Sequence, residues 1–215
     1  ASVRSGPIWV LDNGWSLATR GVAETAALSD DFLFASGGIE FNVDPEDRDR
    51  AWQGATLGVS YAEFGPEFDD RDAVVVNATT SWRYSNIAST GVILTLTPSY
   101  IFNGASGDNN RNRFHEFSLS TSALRPVASQ LLGFQQVFAL AEFGLRGRVY
   151  EGARPEEGQD RRDIRFAPGF RIIGSQFMGE NITATASYRF ERNLSSDSTR
   201  INTNHQTGMT VSVGF

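Results

Sequence analysis

The chain has 215 residues, a formal charge of −6 and no cysteine, so neither a disulfide framework nor a thiolate zinc site holds it together. Its acidic balance, with a sequence pI of about 5.0, argues against a nucleic-acid partner, which needs a cationic face to neutralise phosphates. Mean hydropathy is −0.28, and apolar stretches such as Ala73–Val76 and Gly91–Leu94 fall far short of the ~18 residues of a spanning helix. Twenty-one glycines and 16 phenylalanines, against two methionines and two histidines, favour strands, turns and aromatic surfaces over packed helices.

Residues 1–14 carry Pro7, Ile8, Trp9 and Val10 but no basic stretch ahead of an apolar core, so the chain is expected to be a mature one without its signal peptide. The segment reads as a plug, an extra strand or a periplasmic extension. From residue 15 onward apolar and polar side chains alternate. Trp15–Ala26, Phe32–Val43 and Gly54–Phe64 show the pattern weakly. Val76, Ala78, Trp82 and Tyr84 oppose Asn77, Thr79, Ser81 and Arg83; Val92, Leu94, Leu96, Tyr100 and Phe102 oppose Gly91, Thr95, Thr97 and Ser99. After a weaker run over Phe114–Leu124, Phe143, Leu145 and Val149 oppose Glu142, Gly144, Arg146 and Arg148. Ile164, Phe166, Phe170 and Ile172 oppose Arg165, Ala167, Gly169 and Arg171. Ile182, Ala184, Ala186, Tyr188 and Phe190 oppose Thr183, Thr185, Ser187, Arg189 and Glu191, and Met209, Val211, Val213 and Phe215 close the chain against glycine, threonine and serine.

This gives about ten strands of roughly 9 to 14 residues, longer than the usual five or six and close to the span of a tilted membrane-crossing strand. Connections alternate in kind. Asn86–Ser89 and Gly174–Gln176 read as tight turns, while Phe64–Asp72, Asn103–Arg113, Glu151–Gln159 and Asn193–Thr203 are long and polar. Asp44–Arg50 and Arg125–Gln136 should be short in an up-and-down order and are not, which leaves the count between eight and twelve. The polar faces are dominated by Gly, Ser, Thr and Ala. Small residues suit the concave inside of a narrow closed sheet, and closure pairs every backbone group, as strands in hydrocarbon require. The expected fold is an all-β, closed antiparallel transmembrane β-barrel with up-and-down topology, residues 15–215 forming the barrel. Trp82, Tyr84, Tyr100, Phe102, Tyr188, Phe190 and Phe215 lie at the ends of apolar faces, the arrangement of an aromatic girdle at lipid headgroups.

The terminal run Thr207-Gly-Met-Thr-Val-Ser-Val-Gly-Phe215, which alternates and ends on phenylalanine, resembles the last strand of bacterial outer-membrane β-barrels. Ser187-Tyr-Arg-Phe-Glu-Arg192, a polar loop and Asn202-Thr-Asn-His-Gln206 are similar to the closing hairpin of porin-like barrels. The resemblance implies an outer-membrane location in a Gram-negative envelope, a bilayer and lipopolysaccharide as surroundings, and recognition of the tail by the barrel-assembly machinery.

On this parity the lumen holds Arg20, Glu24, Glu40, Arg83, Glu116, Glu142, Arg146, Arg148, Arg165, Arg171, Arg189 and Glu191. A barrel of ten strands is little wider than one that side chains fill, and buried charges persist when paired, so an occluding Arg/Glu network is expected. The alternative is a cationic track for an anionic solute through Arg146, Arg148, Arg165, Arg171 and Arg189. All 19 basic residues are arginine, each a planar fork suited to carboxylate or phosphate.

Signs of catalysis are sparse. His115 lies in Phe114-His-Glu-Phe-Ser-Leu-Ser120, where Phe117 stands two residues on and Ser118 faces the other way. The His-x-Ser spacing of outer-membrane lipid hydrolases is therefore absent, and His115 reads as an interfacial anchor. His205 has no serine on its face. Asp69, Asp70 and Asp72 share one loop, and Asp160 and Asp163 another, without the histidine of a protease site. They read as solvated loop charges, although the first cluster could hold a divalent ion. Arg111, Arg113, Arg154, Arg161 and Arg162 stand near the expected outer rim, where they could meet lipopolysaccharide phosphates. Neither a cofactor nor a metal is implied. Three functions stay open: a small porin-like channel or solute-binding transporter with a narrow charge-lined lumen; a non-conducting structural or adhesive barrel, or an envelope-assembly subunit, acting through its loops; and a lipid-modifying hydrolase.

Overall fold

The computed structural model describes residues 1–28, 31–47, 51–65, 71–87, 89–106, 112–153 and 160–214. Its strands are β1 (Ser2–Ser5), β2 (Ile8–Leu11), β3 (Trp15–Leu28), β4 (Asp31–Pro45), β5 (Trp52–Phe64) and β6 (Ala73–Ile87). They continue as β7 (Val92–Ala105), β8 (Phe114–Leu131), β9 (Phe134–Ala153), β10 (Asp160–Phe177), β11 (Ile182–Ser195) and β12 (Asn202–Val213). No helix among the described residues is long and apolar enough to cross a membrane.

All twelve strands form one antiparallel up-and-down sheet in chain order, with β2 beside β3 as well as β1. The expectation of about ten strands is corrected to twelve. The ten alternating segments correspond to β3–β12, and the two additions come from the N-terminal segment. There Ser2 faces Glu24, Ser5 faces Gly21, Ile8 faces Ala18 and Leu11 faces Trp15, one continuous register broken at Gly6-Pro7, where proline has no N–H to give. Asp12-Asn13-Gly14 closes the hairpin, with the Gly14 N–H donating to the Leu11 carbonyl (3.1 Å) and Gly14 in the left-handed region at φ 76°. The sheet is not closed: its hydrogen-bonded order begins at β1 and ends at β12.

Two expected connections also move. β8 and β9 run on through Arg125–Gln136 and meet at a two-residue turn, Leu132-Gly133, with φ of 54° and 86°. Pro126 lies within β8, beside Gly91 of the β6–β7 turn. Likewise Gly174–Gln176 belongs to β10, and the tight turn falls at Met178-Gly179, closed by the Glu180 N–H on the Phe177 carbonyl (2.9 Å).

The chain divides into two compact units, Ala1–Trp82 with Pro98–Ser118 and Gly147–Asp163, and Arg83–Thr97 with Leu119–Arg146 and Ile164–Phe215. In the first, Ile39 faces Val59 and Val59 faces Val76, while Phe41 faces Leu57 and Leu57 faces Ala78. These rows make one apolar face, and it is open to the surroundings: Ile39 is 51% exposed, Phe41 47% and Tyr61 50%. The opposite rows, Glu40-Gly58-Asn77 and Asn42-Thr56-Thr79, are small and polar. Asn42 is only 9% exposed, held by its amide N–H on Glu40 (2.9 Å) and by the Thr56 hydroxyl (2.7 Å). A side chain at Gly58 would bring its Cβ within 2.5 Å of the Asn77 amide oxygen, so the crowded side is the polar one. The second unit repeats the inversion, with Phe170 46% and Val211 65% exposed. Buried hydrophobic residues among the described ones are chiefly alanines (Ala18, Ala62, Ala73, Ala105 and Ala167), with Val137 and Tyr150. A water-soluble sandwich would have its large aliphatic side chains there.

Candidate functional site

Four ion pairs on the polar faces join consecutive strands. Arg20 of β3 lies 3.7 Å from Glu40 of β4. Arg171 of β10 grips Glu142 of β9 with Nε 2.8 Å from Oε2 and Nη2 3.1 Å from Oε1, a bidentate fork. Arg165 of β10 pairs with Glu191 of β11. The most enclosed of these four pairs is in the first unit, where Glu116 of β8 is 4% exposed. Arg148 of β9 donates from Nε to its Oε2 (2.8 Å), and Nη2 lies 2.6 Å from the same oxygen. Nη1 donates to the Tyr150 hydroxyl (3.0 Å), and the guanidinium lies 4.0 Å from the centre of the Phe114 ring.

Eight of the twelve expected lumen residues thus meet in four pairs. Glu24, Arg83 and Arg189 form no ion pair with another described residue, and Arg146 is engaged in contacts of its own. An arginine whose charge is cancelled by a carboxylate on the next strand adds little to a track for anions. What it does well is fix register, because a slip of one residue would leave both ions buried without partners.

The apolar faces hold a second arrangement, which the sequence reading missed. The Tyr100 hydroxyl lies 2.7 Å from His115 Nδ1, and His115 Nε2 lies 2.7 Å from Glu151 Oε1. Arg113 Nε approaches the other oxygen of Glu151 at 2.6 Å, and its guanidinium stands over the Phe102 ring at 5.5 Å. The imidazole thus bridges the phenol and the carboxylate, one ring nitrogen to each. In the second unit, Tyr188 meets His205 Nδ1 at 2.9 Å with Phe190 on the ring's other flank at 5.1 Å. Phe102 stands at 4.9 Å from His115 in the same way. Both histidines are therefore clamped between a tyrosine and a phenylalanine of the preceding strand. The signal was visible: Ser99-Tyr-Ile-Phe102 and Ser187-Tyr-Arg-Phe190 share a Ser-Tyr-x-Phe pattern, and each is followed on the next strand by one of the chain's two histidines.

Other expected residues take structural positions. Trp82, Tyr84, Tyr100, Phe102, Tyr188 and Phe190 sit inward of the strand ends, since the strands continue to Ile87, Ala105 and Ser195; Phe215 lies outside the described residues. Ser118 bonds Ser99 (2.6 Å) and does not meet His115. Asp72 accepts from the Phe64 N–H (2.7 Å), tying a loop end, and Arg161 pairs with Asp163 while covering the Tyr150 ring at 4.2 Å. Asp69, Asp70, Arg111 and Arg154 fall outside the described residues. No cluster of three metal-ligating side chains occurs among the described residues. The hydroxyl that His115 meets is the phenol of Tyr100.

The enclosed ion pair yields a sharp prediction. Arg148→Met takes from the buried Glu116 carboxylate the two guanidinium contacts that Arg148 gives it, and should lower unfolding stability by about 1.5–3 kcal/mol, whereas Glu116→Leu with Arg148→Met should recover part of it. Urea unfolding of both variants in one detergent checks this, and equal losses would mean that the pair does not act as a unit. In comparisons with known proteins, no family model, no curated protein and no solved structure matches the chain.

Proposed function

We propose that this chain is a bacterial outer-membrane β-barrel whose ion-paired interior is occluded, so that it serves as a structural barrel acting through its surface and not as an open pore. The inverted sheet carries the reading. Large aliphatic side chains face outward while Glu116 and Asn42 are enclosed, an arrangement stable where the surroundings are hydrocarbon. The pairs Arg20–Glu40, Glu116–Arg148, Glu142–Arg171 and Arg165–Glu191 support occlusion. A narrow channel or solute-binding porin-like barrel is the second reading, and Arg189, without an ion-pair partner among the described residues, favours it.

Strand parity dictates how such a barrel closes. Ten consecutive antiparallel strands, β3–β12, leave the first and last antiparallel, so β12 can pair with β3. Counting the N-terminal strand makes eleven, and its meeting with β12 would be parallel. Bacterial single-chain barrels have even strand numbers. The edge of β3 that β12 needs is the one that β1 and β2 occupy. Closure in the membrane therefore displaces residues 1–11.

Detergent-folded protein should migrate as a compact band that shifts on boiling. A chain lacking residues 1–11 should keep that shift, and a disulfide from Arg4→Cys with Val22→Cys, which face each other in the ladder, should abolish it until reduced. Loss of the shift on truncation, with retention in the locked chain, would instead support an eleven-stranded ring with a parallel seam. In planar bilayers the intact protein should give no stepwise conductance. Steady unitary currents that fall on Arg189→Gln would favour the channel reading.

A further inference from the structure

The first unit has a concavity of about 560 Å³ on its apolar face. Phe41 and Leu57 form one wall, Tyr100 and Phe117 the other, and Ala78 and Pro98 keep the floor low. Tyr100 and Phe117 lie against each other with ring centroids 4.8 Å apart, so the second wall is a continuous aromatic surface. Tyr100 also links the trough to the cluster described above, through its hydroxyl on His115.

The trough therefore has an apolar body and one polar end. Arg113 lies four residues before Phe117, about 13 Å away at the ~3.3 Å rise of a strand. Its Nε lies 2.6 Å from Glu151 Oε2 without hydrogen-bond geometry, and its two terminal nitrogens are donors of the kind that a phosphate takes from arginine. The side chain is 40% exposed, so those donors are reachable. Phe102 beneath the guanidinium and Glu151 beside it hold the fork in place. The His205 clamp is an internal contrast: it has the tyrosine and phenylalanine but no carboxylate or arginine bonded to the imidazole among the described residues.

We propose that this surface binds one phosphate-bearing lipid, its phosphate on Arg113 and one acyl chain in the trough between Phe41 and Phe117, with His115 and Glu151 as positioning residues. The inference rests on the membrane reading above. A lipid is the occupant that the arrangement fits: the offset between cation and trough follows the strand, as a headgroup lies above its chain, and the trough offers almost no polar group to a peptide backbone.

Native mass spectrometry of the detergent-folded full chain tests this, with phosphatidylglycerol and diacylglycerol of identical chains as probes. Phosphatidylglycerol should be retained as a single adduct, at least several-fold more than diacylglycerol. Arg113→Gln should erase that difference, and Ala78→Phe, which fills the floor, should reduce retention of both. Folding of each variant is checked by its boiling shift, and if Ala78→Phe fails to fold, Arg113→Gln decides alone. Equal retention of the two lipids by the intact protein, or retention unchanged by the variants, overturns the site while the membrane reading stands. A dimer lost on Ala78→Phe would show that a second copy occupies the trough and likewise overturns it. A chain that stays soluble without detergent and shows no boiling shift removes the membrane reading and this site with it.

Discussion

The structure depends on an inverted sheet: large apolar side chains face away from the crowded side, and most of the cross-strand ion pairs face into it. Such a sheet gains little from apolar burial within its own chain, because most large aliphatic residues remain uncovered. What holds it is backbone pairing across long strands, assisted by side chains that bridge neighbours on the polar face. In water the exposed rows of Ile39, Phe41, Leu57, Val59 and Tyr61 would form a contiguous apolar patch of the kind that marks an interaction or membrane surface. In hydrocarbon the same rows incur no such cost, and unpaired backbone groups become the chief liability.

The polar face answers its own problem with local means. Four of the ion pairs join adjacent strands, so each of these is also a register constraint. Exclusive use of arginine matters here, since Arg171 and Arg148 each present more than one nitrogen to their partners, which a lysine ammonium could not do in the same plane. Two edges lie outside this scheme. β1, β2 and β12 are exposed along their whole lengths. A long free edge invites pairing, and strand direction decides which partner each can accept.

Much of this was legible in the sequence because alternation is a local property. Runs such as Ile182–Glu191 or Met209–Phe215 reveal their two faces without knowledge of any neighbour, and the ten segments from Trp15 onward coincide with β3–β12. The failures have local causes too. Arg125–Gln136 read as a long connection, although β8 and β9 run through it to a two-residue turn that only the pairing of the two strands locates. The N-terminal strand stood only as one of three readings of residues 1–14, because Gly6-Pro7 interrupts a short alternation, although Asp12-Asn13-Gly14 is an ordinary hairpin signal. Pairings such as Tyr100 with His115, or Arg148 with Glu116, depend on cross-strand register, which no single strand encodes. Residue types at the site could be read in advance, and their partners could not.

The direct test of the inverted sheet uses the absence of cysteine. Single cysteines at Leu57, Val59 and Tyr61, and at Thr56 and Ser60 on the opposite face of the same strand, can be spin-labelled in protein reconstituted into vesicles. Collision with dissolved oxygen, which concentrates in hydrocarbon, should be high at positions 57, 59 and 61 and low at 56 and 60. A polar nickel complex should barely reach the first three. Free access of that complex to 57, 59 and 61, or no alternation between the two sets, would contradict the account.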